Sequence, residues 1–243
     1  MSTTCIYCGE PATGRDHVPP VCLFSKPRPS NLITVPACEQ HNGKQSKDDE
    51  FFRLQLCART EAGKSPGILK HYKAIERSFR RPEASGLVEK WNEHTRIRWD
   101  TSAGGILQPR YQIRQDFQRQ AMVAGRIVRG LYYHEVGEML PLTVNALAIM
   151  DLAFDEIPSP QRETLDQIRA DLFDAPHKVV SENEFSYRWI PVDEREFMSV
   201  WHLSFFESIW CLGVTNGPDT EWNFDIASGE SPKRSDSQSK GTL

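Results

Sequence analysis

The chain has 243 residues, of which 39% are hydrophobic, 10% aromatic and 26% charged, a composition typical of a soluble globular protein. Its net charge of -4 is divided unevenly, because residues 1–126 carry a net charge of +7 and residues 127–243 a net charge of -11. No run of 18 apolar residues is present, which excludes a membrane-spanning helix, and the N-terminus lacks the pattern of a secretory signal, so we expect a cytoplasmic protein.

The first 43 residues are rich in Pro, Gly and Cys and predict loops and short strands. Within them, Cys5-x2-Cys8 is followed after 29 residues by Cys38-x2-His41. This spacing lets each pair meet one ion from a tight turn, so the two pairs predict a closed, structural Zn²⁺ site with four protein ligands.

Between the two pairs lies Asp16-His17, followed by Val18 and two prolines. Histidine can act as a general base near neutral pH, and a carboxylate is a hard oxygen ligand for Mg²⁺. Hydrolysis of a phosphodiester needs both a deprotonated water and a cation, but an isolated Asp-His pair is more often an ordinary surface pair.

A short β-branched run, 32–35, predicts a strand that ends at Pro36, and Asn31 precedes it. The Asn31 amide can hold the His17 ring by a hydrogen bond, or it can order the loop. After the second zinc pair, Asn42 offers a neutral oxygen to a hard cation or forms a turn that begins the next helix. Lys44 and Lys47, at the start of that helix, can reach phosphate groups.

Helical periodicity predicts a helix over 44–59. The run Asp48-Asp49-Glu50 on this helix is more typical of a solvated face than of a metal site. The remaining predicted elements are helices at 67–80, 116–134 and 160–173, strands at 96–99 and 111–114 flanking Gly104-Gly105, strands at 185–190 and within 200–214, and a disordered tail from residue 227.

The order Cys-x2-Cys, Asp-His, Asn, Cys-x2-His, Asn-x-Lys resembles the zinc-containing branch of the HNH endonuclease family over residues 5–55. The resemblance implies a ββα-metal fold, in which a hairpin carries the Asp-His pair and a helix beginning near Asn42 closes the site. It implies that His17 activates water, that Asn31 orients it, and that Asp16 and Asn42 hold a catalytic Mg²⁺ or Mn²⁺. Structural Zn²⁺ would be held by Cys5, Cys8, Cys38 and His41.

The sequence departs from the family pattern in two places. The last motif residue is Asn42 instead of His, which gives an H-N-N variant, and the second zinc pair ends in His41 instead of Cys. His41 could alternatively be the catalytic metal ligand and leave zinc with three cysteines, but the two-residue gap after Cys38 favours the zinc role.

We therefore expect an α+β protein with a nuclease module at 1–62, a mixed α+β DNA-binding or regulatory region at 63–226 and a tail at 227–243. The expected function is hydrolysis of DNA by a metal-dependent endonuclease. A role in restriction or anti-phage defence is expected only because such roles are common in the HNH family. The alternative is a non-catalytic, zinc-stapled module that binds nucleic acid or a partner.

The expected nucleic-acid partner is DNA. The Trp- and Phe-rich strands of the C-terminal region are more typical of a core, and the alternative is that they bind a second copy or a regulatory protein. Phosphate contacts outside the module are expected, with ordinary surface helices as the alternative, from the basic residues Lys64, Lys70, Lys73, Arg77, Arg80, Arg81, Arg96 and Arg98.

Overall fold

The structure is a computed structural model that describes residues 4–59, 65–101, 104–154, 157, 159–192 and 196–216. It confirms the α+β prediction, since helices and antiparallel strands are mixed along the chain. Within the described ranges, no helix has the length and apolar character needed to cross a membrane. The predicted tail at 227–243 and the basic residue Lys64 lie outside the described residues.

Nine strands and seven α-helices make up the described part of the chain. The strands are β1 (Gly14–His17), β2 (Thr34–Ala37), β3 (Thr95–Thr101), β4 (Leu107–Ile113), β5 (Asn145–Met150), β6 (Lys178–Ser181), β7 (Phe185–Pro191), β8 (Ser199–Phe205) and β9 (Ile209–Asn216). The helices are α1 (Glu39–Asn42), α2 (Ser46–Cys57), α3 (Pro66–Phe79), α4 (Ser85–His94), α5 (Phe117–Val136), α6 (Asp151–Phe154) and α7 (Ser159–Phe173).

The N-terminal region consists of the β1–β2 hairpin followed by α1 and α2. The two strands pair antiparallel, with Asp16 opposite Val35 and His17 opposite Thr34. Side chains alternate between the two faces of a strand, so Val35 shares its face with Asp16. Val35 is fully buried, and that face of the hairpin therefore forms part of the core.

The C-terminal half is built on a five-stranded antiparallel sheet with the order β5-β9-β8-β7-β6. Alternation along β8 sends Trp201, Leu203 and Phe205 to the face covered by α5. Val200, on the opposite face, packs with Leu165 from α7. Both faces of the sheet are covered by helices over this part, which explains why its strands are rich in apolar residues.

Helix α5 lies between the N-terminal hairpin and the sheet. Its first turn is capped by the Asp116 carboxylate, which accepts a hydrogen bond from the Arg119 amide at 3.0 Å, and it ends at Gly137 in the left-handed region. Two glycines allow close approach on this helix. A Cβ on Gly125 would lie 2.5 Å from the Ala146 carbonyl oxygen, and one on Gly130 would lie 2.5 Å from Val18.

The predicted elements agree with the structure where periodicity is strong, as in α2, α3, α5 and α7. The strand predicted at 32–35 in fact covers Thr34–Ala37 and continues through Pro36, which belongs to one edge of a two-stranded sheet where a missing N–H is tolerated. Helix α4 and strands β5 and β6 were not predicted.

Candidate functional site

The four predicted zinc ligands converge on one point. The donor atoms of Cys5, Cys8, Cys38 and His41 all lie within 4.8 Å of one another. The Cys8 and Cys38 sulfurs are 3.8 Å apart, and the Cys5 sulfur is 3.6 Å from His41 Nδ1. A tetrahedral zinc site with Zn–S bonds of about 2.3 Å separates its sulfurs by about 3.8 Å, so this Cys3His cluster has the donor set and the size to bind zinc.

Short turns place the two ligand pairs. The Gly9 amide donates to the Cys5 carbonyl at 2.9 Å, and Gly9 has a φ of +78°, which allows the chain to turn back after Cys8. On the other side, Cys38 precedes α1, and the His41 amide donates to the Cys38 carbonyl at 3.1 Å. One tight turn on each side therefore brings its pair of ligands to the shared point.

The two cysteines with shifted acidity in this cluster differ. The hydrogen bond from His41 lowers the pKa of the Cys38 thiol to about 6, whereas burial raises the pKa of the Cys8 thiol to about 11. Thiolates are the form that binds a metal, so the hydrogen bond with His41 favours the ligating form of Cys38.

Asp16 lies on the buried face of the hairpin and is 7% exposed. The Tyr7 hydroxyl donates to its carboxylate at 3.2 Å. Burial raises the pKa of Asp16, and the Arg126 guanidinium from α5 opposes that rise. The carboxylate therefore faces a cation supplied by another part of the chain.

Arg126 also connects the surroundings of Asp16 to α2, because its guanidinium contacts the Gln45 side chain and forms an ion pair with Asp49. Burial raises the pKa of Asp49 to about 6, against the lowering effect of Arg126. The acidic run 48–50 is thus not the solvated face that was predicted. Each member is only partly exposed and pairs with an arginine, namely Asp48 with Arg119, Asp49 with Arg126 and Glu50 with Arg53.

His17 and Asn31 are placed on the other side of the hairpin. His17 is the last residue of β1, and by alternation it shares a face with Arg15 and Thr34. Arg15 donates from Nε to the Thr34 hydroxyl at 2.8 Å. Asn31 is exposed and lines a cleft of about 410 Å³ together with Arg15, Thr34, His134 and Lys178, among others.

Asn42 is exposed at the end of α1, and its side-chain nitrogen would lie 2.9 Å from a Cβ on Gly14. Gly14 and Asp16 share a face of β1, so the Asn42 amide lies over the strand that carries Asp16. Lys47 is exposed in the first turn of α2, and Lys44 is exposed two residues before that helix begins. The Lys47 carbonyl accepts a hydrogen bond of 3.4 Å from Arg119.

The structure therefore brings the four zinc-type ligands together and divides the other four residues. Asp16 and Asn42 belong to one face of β1, while His17 and Asn31 belong to the other. In the described residues, no second group of three or more His, Cys, Asp or Glu side chains converges on one point. Sequence reasoning did not find Tyr7 and Arg126 because their role depends on packing between distant segments.

Comparison of the chain with protein-family models, with curated proteins and with solved structures finds no match. The site has to be interpreted from its own residues.

Proposed function

We propose that the chain is a metal-dependent endonuclease of the HNH type that hydrolyses phosphodiester bonds of DNA. One observation carries the proposal. The Cys3His cluster includes His41, and the residue after it, Asn42, lies against the strand that carries Asp16 and His17. A zinc ion bound there would fix the position of Asn42 relative to the strand that carries Asp16 and His17, three residues that such a nuclease needs.

In this proposal His17 activates the attacking water, Asn31 orients it, and Asp16 with Asn42 holds Mg²⁺ or Mn²⁺. The zinc ion, held by the Cys3His cluster, has a structural role only. Burial raises the pKa of Asp16, and the nearby Arg126 guanidinium opposes that rise, so Arg126 works in favour of the ionised form that a divalent cation requires. Lys44 and Lys47 are exposed and available to contact phosphates. A role in restriction or anti-phage defence is part of the proposal, and unchanged phage and plasmid survival on expression would contradict it.

A second candidate, a zinc-stapled module that binds nucleic acid without cutting it, is favoured by a different observation. The Asp16 carboxylate is buried, accepts a hydrogen bond from Tyr7 and lies near the Arg126 guanidinium, so its charge is already balanced within the chain. His17 is directed to the opposite face of the hairpin. An arrangement of this kind can be purely structural.

The two candidates are separated by nicking of supercoiled plasmid with Mg²⁺ or Mn²⁺. We expect wild-type protein to nick and His17→Ala to lower the rate by about 100-fold or more, the lower end of what general-base removal costs. Asn42→Ala should also lower the rate, because it removes a ligand of the divalent cation. Matched controls are His177→Ala and Asn92→Ala, which remove exposed side chains elsewhere and should leave the rate unchanged. Equal nicking by all variants would overturn the assigned roles. Zinc-loaded protein that shifts DNA in a gel without cutting it would favour the second candidate.

A further inference from the structure

The β3–β4 hairpin has one uncharged face. Its register pairs Ile97 with Tyr111 and Trp99 with Pro109, and side chains on directly opposed residues share a face. That face contains Thr95, Ile97, Trp99, Thr101, Leu107, Pro109, Tyr111 and Ile113. Trp99 and Tyr111 are diagonal neighbours there, at a Cα separation of about 7–8 Å.

This face is open to solvent. Ile97 is 59% exposed, Trp99 60%, Leu107 62% and Tyr111 69%. An isolated two-stranded hairpin is marginally stable in water, and an exposed apolar patch with two aromatic rings is typical of a binding surface. The face therefore has the character of a binding surface.

Charge identifies the class of occupant. The segment 95–114 contains four arginines and one aspartate, a net charge of +3. A second copy of the same hairpin would bring +3 against +3, which opposes self-association. A polyanion with flat apolar groups matches both properties of the hairpin, and an unpaired nucleic-acid strand is such a polyanion.

We infer that the β3–β4 hairpin binds an unpaired stretch of nucleic acid by stacking bases on Trp99 and Tyr111. Arg96 and Arg98, from the reverse face, supply charge for the phosphates. Arg98 contacts Asp100 at 3.2 Å, but the Arg98 side chain is 64% exposed and that of Asp100 36%, so this pair is weak and can give way to a phosphate. The inference rests on the proposed function in taking nucleic acid as the substrate, and it adds that a single-stranded portion is held outside the zinc module.

The test is fluorescence anisotropy of labelled oligo(dT) and of a duplex of equal length, without added Mg²⁺ or Mn²⁺ so that the probe is not consumed. We expect Trp99→Ala and Tyr111→Ala each to raise the Kd for the single strand about tenfold, with a smaller change for the duplex. Arg96→Ala should lower the slope of log K against log salt by about 0.7 for the single strand. Tyr72→Ala on α3, which removes another exposed tyrosine, is the matched control.

Unchanged single-strand affinity in both aromatic variants would overturn the inference. So would a dimer in analytical ultracentrifugation that Trp99→Ala converts to monomer without a change in affinity, because the face would then be occupied by a second copy. If Trp99→Ala and Tyr111→Ala lose single-strand binding but the wild-type protein never nicks plasmid, this inference stands and the proposed nuclease activity is wrong. If nicking depends on His17 but both aromatic variants bind the single strand normally, the nuclease stands and this inference is wrong.

Discussion

The chain contains two short antiparallel hairpins of opposite character. The β1–β2 hairpin has a face buried against α5, with Val18 at 2% and Val35 at 0% exposure, and the Cys3His cluster lies beside it. The β3–β4 hairpin is longer, yet Trp99 on its apolar face is 60% exposed. Length is therefore not what decides whether a two-stranded ribbon becomes part of the core.

The difference lies in what covers each ribbon. The β1–β2 hairpin is covered from within the chain, because helix α5 packs on it and the Cys3His cluster lies beside it. For β3–β4 we propose that the cover comes from a ligand. Four predictions follow from this contrast, beginning with the change that should affect the molecule most.

Loss of metal binding should have the largest effect, because a zinc ion held by the Cys3His cluster would link both ends of the first hairpin. Structural zinc in small modules contributes on the order of 10 kcal/mol of folding free energy. We expect Cys38→Ser to lose the bound zinc and to expose amides of residues 4–59 to hydrogen exchange, while residues 139–216 stay protected. Zinc content and exchange mass spectrometry measure both.

The matched control for Cys38→Ser is Cys22→Ser, which removes a partly buried thiol outside the cluster. This variant should keep its zinc. Uniform exchange along the whole chain after zinc loss would show that the two regions unfold together and would contradict the division between them.

The contact between the first hairpin and α5 should be sensitive to a single methyl group. A Cβ on Gly130 would meet Val18 at 2.5 Å, so Gly130→Ala is expected to lower the free energy of unfolding by about 1–3 kcal/mol. Gly86→Ala in α4 has open space around it and should instead be neutral or stabilising by up to about 1 kcal/mol. Urea unfolding of both variants measures the difference, and equal stabilities would show that the hairpin is not packed tightly on α5.

A buried carboxylate joins the N-terminal region to the sheet and should give that junction an acid dependence. Glu184 accepts hydrogen bonds of 2.8 Å from the Ser25 amide and from the Ser181 hydroxyl, and it lies 3.5 Å from His71 Nε2. Burial alone would raise the pKa of Glu184, but these partners outweigh it and hold the pKa at about 2. Because the folded value lies below the unfolded one, the contribution is present above pH ~4.3 and is lost as the pH falls towards 2.

Glu184→Gln should therefore lower stability at neutral pH by an amount on the order of 3 kcal/mol, and the gap to wild type should close between pH ~4.3 and 2. Urea unfolding at several pH values measures it. Glu182→Gln changes an exposed neighbour and serves as the control. A gap that persists unchanged at pH 2.5 would assign the loss to packing and not to the charge.

The smallest effect is expected on the open hairpin. Ile97→Thr keeps a β-branched residue in β3 and removes an apolar group that is 59% exposed, so stability should change by no more than about 0.5 kcal/mol. Val35→Thr makes the same kind of change at a fully buried position and should cost more than about 1 kcal/mol. A comparable loss from both substitutions, measured by thermal unfolding, would mean that the second hairpin is covered after all.

The zinc-type cluster could be predicted from sequence because its information is local. Each ligand pair is two residues apart, and the turn that joins the pair is fixed by the same few residues. Helix α5 could be predicted for a similar reason, since its apolar residues recur with helical spacing. Local spacing of this kind is the same before and after folding.

What could not be predicted depends on partners far away in the chain. From the sequence, Asp16 was expected to be available to a catalytic cation. In the structure Arg126, which follows 110 residues later, interacts with its carboxylate. Strand β5 shows no alternation because the residues on both its faces are largely covered, one by α5 and the other by the packing around α7. The burial that shapes both features is a property of the assembled fold.

The position of α5 has a mechanical consequence. Gly125 lies against the sheet, the next residue Arg126 holds Asp49 of α2, and Gly130 lies against the first hairpin. A rotation of this helix about its own axis would disturb all three contacts at once. The residue that pairs with Asp49 therefore lies on the same helix that packs against strand β5 and against the first hairpin, so one helix joins the two halves of the molecule.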